Sequence, residues 1–297
     1  MSAVRKPADA LAVSMMIVLC MCWGFNQITI KVAAAGISPI MQAGLRSVIA
    51  ATLLYAWARL RGIPLFRRDG TLAAGIAAGA LFAAEFVLIY AGLAYTTASR
   101  MVVFIYLAPC FTALGLQWFV PGERLNAGQW TGVVLAFLGV ALAFADGFST
   151  AAGSTLLGDA FGVIAALLWA ATTVLIRATR LSSASATKTL FYQLGISALT
   201  LPLASLIAGE PGIVALTPKV VASLAYQSVI VAFASYLAWF WLLTRYLAGR
   251  LAVFSFLTPL FGVFFGVLLL SEPVSAAFLA AALLVGAGIV LVNRPGK

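Results

Sequence analysis

Long apolar runs separated by short polar connections make up nearly the whole chain. A helix needs about 20 apolar residues to cross ~30 Å of hydrocarbon. Ten runs fit that length: residues 11–32, 39–58, 71–93, 99–119, 128–145, 157–178, 186–207, 220–244, 250–270 and 274–293. The first follows Arg5 and Lys6, as the core of a signal peptide would. It is longer than the usual ~7–15-residue core and no clean small-x-small cleavage site follows, so it reads as a first transmembrane helix.

The pattern occurs twice. Trp23 matches Trp169 and Lys31 matches Arg177 at an offset of 146; Arg100 matches Arg250 and Pro109 matches Pro259 at 150; Glu123 matches Glu272 and Gly139 matches Gly288 at 149. Residues 1–146 and 147–297 therefore divide the chain into two diverged copies, their apolar parts roughly 11–146 and 157–293, joined by the polar stretch Asp146–Asp159. Each copy holds five runs. An odd number makes the second copy enter the membrane from the opposite face, so the duplication is an inverted repeat. Such repeats bind cargo near the midplane, between the halves.

Composition agrees with a lipid environment. The chain is 64% hydrophobic and 9% charged, with a mean hydropathy of +1.10. Ordinary soluble domains carry about 25% charged residues, so too little polar sequence is present to cover these runs in water. Charge then gives orientation. With the N-terminus in the cytoplasm, 14 of the 18 basic residues fall inside; Lys31, Arg100 and Lys219 fall outside, and Arg46 lies within the second run. Asp146, Asp159, Glu210 and Glu272 fall outside. The positive-inside rule therefore places both termini in the cytoplasm. The net charge of +10 is a topology signal, and nucleic acid is excluded as a partner.

No enzyme is outlined. The chain has no histidine, no phosphate-binding loop and no metal-ligand cluster, and no cofactor is expected. Cys20, Cys22 and Cys110 lie inside apolar runs and read as buried thiols.

The second part of each copy is the most recognisable. The first reads A-S-R-M-V-V-F-I-Y-L-A-P-C-F-T-A-L and then G-E-R-L-N-A-G-Q-W-T-G; the second reads A-G-R-L-A-V-F-S-F-L-T-P-L-F-G and then S-E-P-V-S-A-A-F-L. A small-residue start, a mid-run proline, a loop glutamate and a Gly-rich last run occur twice, in order. This resembles the EamA repeat of the drug/metabolite transporter superfamily. The resemblance implies an all-α integral membrane fold with ten transmembrane helices around a central cavity. It implies walls from helices 1, 3, 4, 6, 8 and 9, with 5 and 10 peripheral. Members move amino acids, other metabolites, nucleotide-linked sugars or drugs. Among them the chain looks most like the YddG-type exporters of aromatic and other neutral amino acids.

Candidate site residues follow from sparse polar and aromatic positions inside the runs. Glu85 has no compensating charge in its own run, and a charge at the bilayer centre costs ~2.5–3.5 kcal/mol or more on insertion scales. Two readings are open: a cavity carboxylate that binds an ammonium or carries a proton, or a protonated or hydrogen-bonded interhelical contact. If it faces the cavity, Phe82, Ile89 and Gly92 share its side. Trp23 and Asn26 are three apart and can share a face; Trp169 and Thr172 are their counterparts. Helix-to-helix glue is the other reading of these polar groups. Pro109 and Pro259 interrupt matched runs as hinges or static bends, each with an aromatic one turn before it, Tyr106 and Phe256. In the eighth run Tyr236 and Trp239 are favoured among Tyr226, Gln227, Ser235, Tyr236 and Trp239. Gly75/Gly79, Gly128/Gly132, Gly158/Gly162 and Gly262/Gly266 are small-xxx-small pairs for packing within the bundle, or for a homodimer contact through helices 5 and 10. Glu123 and Glu272 are expected to fix loop geometry, with a gate role as the alternative. Lys31 and Arg177 are read as snorkelling.

The expected function is secondary transport: export of aromatic and other neutral amino acids by alternating access. Efflux of cationic drugs or other metabolites is the alternative on the same fold, and an uncoupled channel is the alternative outside it.

Overall fold

The computed structural model describes residues 5–145, 155–270 and 276–294. Among them eight helices are long and apolar enough to cross a membrane, and two shorter apolar helices accompany them. In chain order the helices are α1 (Ala10–Ala33), α2 (Pro39–Leu60), α3 (Leu72–Leu93), α4 (Ala98–Ile105), α5 (Ala108–Phe119), α6 (Ala127–Ala143), α7 (Thr155–Ala178), α8 (Ala186–Ile207), α9 (Pro218–Ala225), α10 (Tyr236–Arg245), α11 (Ala248–Ala252), α12 (Leu257–Leu270) and α13 (Ala276–Asn293). The protein is all-helical among the described residues and built for a membrane. Leu199, Ile207 and Leu283 are 74–78% exposed, a surface that only lipid tolerates.

Several predicted runs are not uniform rods. The fourth breaks at Tyr106–Leu107 between α4 and α5. The ninth tightens to three-residue turns over Val253–Phe256 between α11 and α12. The eighth widens to π turns over Tyr226–Ser235, between α9 and α10. In the fourth and ninth the break precedes the proline: Pro109 lies in the first turn of α5 and Pro259 is the third residue of α12. The ring clashes with the preceding turn and its nitrogen donates no bond, so proline is accommodated where a helix restarts. Both prolines thus start helices, and neither interrupts one at its middle.

Helix packing relies on small residues. α6 lies along α13. A methyl group on Gly132 would sit 2.6 Å from the Gly288 carbonyl oxygen, and one on Gly288 would sit 2.5 Å from that of Gly132. Backbone therefore meets backbone, and neither position admits a side chain. Gly75 and Gly79 seat Tyr192 and Ile196 of α8, and Gly158 and Gly162 seat Thr96 and Phe104. These contacts lie within the chain. Gly128 makes only an ordinary contact with Asn126, whereas Gly262 takes part in a close approach of α12 to α1, its backbone nitrogen lying 2.9 Å from where a methyl group on Gly24 would sit.

Carboxylates tie the helix ends. Glu210, between α8 and α9, accepts from the Ile40 and Met41 backbone N–H groups (3.0 Å each), from Ser38 (3.0 Å) and from Ser205 (2.6 Å), capping α2. Asp69, before α3, pairs with Lys188 in the first turn of α8 at 2.7 Å and accepts from the Thr71 hydroxyl. Asp9 caps α1 and accepts from the Tyr246 hydroxyl at 2.8 Å. Asp159 accepts from Thr96 at 2.8 Å and from Arg100.

Burial alone would push the Glu210 carboxyl up, but its donors, Ser205 foremost, outweigh burial and hold it below its ordinary value. The Lys188 hydrogen bond holds Asp69 low in the same way. Groups with lowered folded values stabilise fully above the unfolded carboxyl value of about 4, and that contribution is lost as pH falls through the folded value. The melting temperature is therefore expected to fall below about pH 4.5. Glu210→Gln should flatten part of that fall in thermal unfolding of the purified protein. An unchanged acid limb would remove Glu210 from it.

Candidate functional site

The helices enclose a cavity of about 300 Å³. α1 supplies Trp23, Asn26, Gln27 and Ile30, a run of one-turn spacings that puts them on one face. α3 supplies Phe82, Glu85, Phe86, Ile89, Tyr90 and Leu93 by the same rule. Tyr106 enters at the α4–α5 break, followed by Pro109 and Thr112. α7 gives Trp169, Thr172, Thr173 and Ile176; α10 gives Tyr236, Trp239 and Phe240; Ala252, Ser255 and Thr258 complete the wall. α6 and α13 give none of the lining residues.

The wall is a network of rings. Trp23 meets Tyr236 and Trp239 edge-on at 6.4 and 6.0 Å. Phe82 meets Phe86 at 5.0 Å and Tyr236 at 6.1 Å. Tyr106 meets Trp169 at 6.1 Å. Trp23 is fixed by donating its indole N–H to the Ser235 hydroxyl at 2.8 Å. These geometries orient ring edges and faces toward a shared space.

Ten of the eleven sequence-predicted binding residues line this cavity: Trp23, Asn26, Phe82, Glu85, Ile89, Tyr106, Trp169, Thr172, Tyr236 and Trp239. Phe256 does not. It is fully buried behind Tyr106, ring centres 6.3 Å apart, because the tight turns over Val253–Phe256 direct it into the core. Gly92 is also off the wall, facing Met101 and Phe161 and letting α7 approach α3. Tyr226 and Gln227 donate to the Cys22 and Thr29 carbonyls and serve packing. Pro109 lines the cavity, whereas Pro259 is not among the lining residues.

Two lining residues come from helices outside the expected set: Arg46 of α2 and Gln193 of α8. Arg46 was visible in the sequence as a charge within a run, which is as costly as Glu85. Gln193 gave no signal beyond being polar in an apolar helix.

The cavity is open at one end and shut at the other. Leu93 and Ala98, both exposed, mark the open end. Ile176 and Phe240, both buried, form the floor. Beneath the floor a buried ion pair joins Glu123 to Arg177. Glu123 also accepts from the Gly249 N–H at 3.2 Å, and Arg177 donates to the Leu243 carbonyl at 3.4 Å. The pair thus connects the α5–α6 turn, α7, α10 and α11. Arg177 is paired here, not snorkelling. Nearby, Arg5 donates to the Leu243 and Ser182 carbonyls, and Lys6 exchanges backbone bonds with Arg245 and Leu247. Glu272 lies outside the described residues.

Residues 10–145 and 156–294 each match the EamA-like transporter family. The chain belongs to that family. It is therefore a multi-span membrane transporter of the drug/metabolite transporter superfamily, whose members are transporters and not enzymes. It is 28% identical over 270 residues to an uncharacterized transporter of Archaeoglobus fulgidus, covering 88% of each chain. It is 26% identical over 279 residues to a probable amino-acid metabolite efflux pump of Escherichia coli, covering 91% of this chain and 90% of that one. A solved crystal structure superposes with a TM-score of 0.80 at 19% identity over 96% of both chains, which is a likeness of fold.

Proposed function

We propose that this transporter exports small amphipathic metabolites, with aromatic and other neutral amino acids as its cargo, by alternating access to the central cavity. The observation that carries this reading is the cavity itself: rings on every side, one carboxylate from Glu85, one end open and one end locked. Rings would take the apolar side chain, and Glu85 the ammonium. Two relatives, in Escherichia coli and Salmonella typhimurium, carry the name of probable amino-acid metabolite efflux pump, which supports the same cargo class.

In this reading the chain crosses the bacterial inner membrane ten times, as two inverted five-helix halves with both termini in the cytoplasm. Reciprocal ties between the halves support the inversion. Asp9 of the first half takes the Tyr246 hydroxyl of the second, and Asp159 of the second takes the Thr96 hydroxyl of the first. Both members of each tie differ by 150 in residue number from their counterparts. Likewise Asp69 of the first half holds the start of α8, while Glu210 of the second caps α2. Loop charge then puts the Glu123–Arg177 lock on the cytoplasmic side and the open end outside. Export loads cargo only after that lock has opened.

A carboxylate among rings also favours cations, so efflux of cationic drugs is the competing reading. Reconstituted liposomes separate the two. Labelled phenylalanine is expected to leave proteoliposomes faster than protein-free vesicles, with a rate that responds to an imposed pH gradient. Movement of cationic dyes without movement of any amino acid would overturn the cargo assignment.

A further inference from the structure

One basic residue of the cavity wall has no ion-pair partner. Arg46 is 3% exposed, and its Nε is sealed from solvent with no hydrogen-bond partner. Its guanidinium rests over the Phe86 ring at 4.4 Å. The ion pairs among the described residues are Lys6–Asp9, Arg100–Asp159, Arg177–Glu123 and Lys188–Asp69, and none includes Arg46. Glu85 lines the same cavity and acts on Arg46 through space without a direct ion pair, and the Tyr236 hydroxyl lies beside the guanidinium. A ring face compensates a cation only in part. On α8, Gln193 is 1% exposed and also lines the cavity, and its Nε2 donors have no partner. Two helices that pack together therefore bring buried donors to the cavity wall, the Arg46 Nε and the Gln193 Nε2, that no hydrogen bond satisfies.

We infer that Arg46, assisted by Gln193, is the anion subsite of the cavity and receives the carboxylate of the cargo. This rests on the amino-acid export reading and deepens it. A planar guanidinium matches a carboxylate by two parallel hydrogen bonds. A phosphate dianion fits less well, because Glu85 shares the cavity and repels it. Cargo held at both ends, amine to Glu85 and carboxylate to Arg46, is a zwitterion, with its side chain against Trp23, Tyr236 and Trp239. Selection is then for the amino-acid backbone. An organic cation that lacks a carboxylate leaves the Arg46 Nε without a hydrogen-bond acceptor, as in the empty cavity.

The test is binding to the purified full-length protein of L-phenylalanine and of L-phenylalaninamide, which keeps the amine and ring but has no carboxylate. The wild type is expected to prefer phenylalanine by at least about tenfold, the scale of one charge-assisted interaction. Arg46→Gln should bring phenylalanine down to the level of the amide and leave the amide unchanged, and Arg46→Lys should recover part of the preference. Equal binding of acid and amide by the wild type, or an equal loss of both in Arg46→Gln, overturns the subsite while leaving amino-acid export standing. If the wild type binds neither phenylalanine, the amide nor any other amino acid, the export reading itself falls and the subsite with it. Should Arg46→Gln fail to fold, the wild-type ratio alone decides.

Discussion

Glu123→Ala is expected to destabilise the purified protein by about 3–5 kcal/mol, the usual cost of removing one partner from a buried ion pair. Both side chains are 3% exposed, so solvent cannot take over the lost contact. Without Glu123 the Arg177 guanidinium keeps one long bond to the Leu243 carbonyl, and its Nε already has no partner. The Gly249 N–H at the start of α11 loses its acceptor as well. Removing both charges is a different matter, because a well-packed apolar pair often replaces a buried ion pair at little cost. The double variant Glu123→Met with Arg177→Met should therefore recover most of the loss. Thermal unfolding in detergent measures both. A loss under about 1 kcal/mol for the single variant, or no recovery in the double, would mean that the pair contributes nothing.

The same pair predicts a conformational effect, since it spans α7 and α11 below the cavity floor. With a cysteine placed at Phe240, a polar maleimide should label Glu123→Ala faster than the parent. Equal labelling would make the pair a structural tie and not a lock.

The sequence carried the cavity further than it carried the lock, for a physical reason. Residues on one helix obey a fixed period, so Trp23 with Asn26, and Phe82 with Glu85 and Ile89, could be placed on common faces without coordinates. The same rule failed at Phe256, because it assumes a continuous α-helix and the chain tightens over Val253–Phe256. It failed at Gly92 for another reason: a residue without a side chain serves the close approach of α7, whichever way it points. Pairings between helices follow no period. Glu123 and Arg177 are separated by 54 residues, and Glu123 as a loop residue carried no mark of its partner. Arg46 is instructive in a different way. As a basic residue within a run it is set apart from the loop charges that give topology, although the cost that makes Glu85 conspicuous applies equally to it. Its lack of a direct ion pair is a property of the folded bundle alone, since a carboxylate on any of several helices could have met it.

Glu85→Gln carries the second large effect, on cargo and not on the fold. Among the described residues no hydrogen bond or ion pair engages the Glu85 carboxyl, although it lies on the cavity wall at 7% exposure. A carboxylate that glued helices together would have a partner on a neighbouring helix. Its free side is therefore available to an ammonium, and a hydrogen bond to a charged group is worth about 1.5–3 kcal/mol. That corresponds to a loss of roughly 10–150-fold in phenylalanine affinity when the charge is removed. Hydrocinnamate, which has the ring and carboxylate but no amine, should bind the variant no worse than the parent, because its only charged contact is on the Arg46 side. If Glu85 also carries the coupled proton, the amide cannot, and the response of efflux to a pH gradient should vanish in proteoliposomes. A variant that keeps that response removes Glu85 from coupling, and one that loses hydrocinnamate and phenylalanine alike shows a wall that has collapsed. Only the selective loss of the amine-bearing ligand, with the melting temperature held, identifies Glu85 as the group that reads the charge of the cargo.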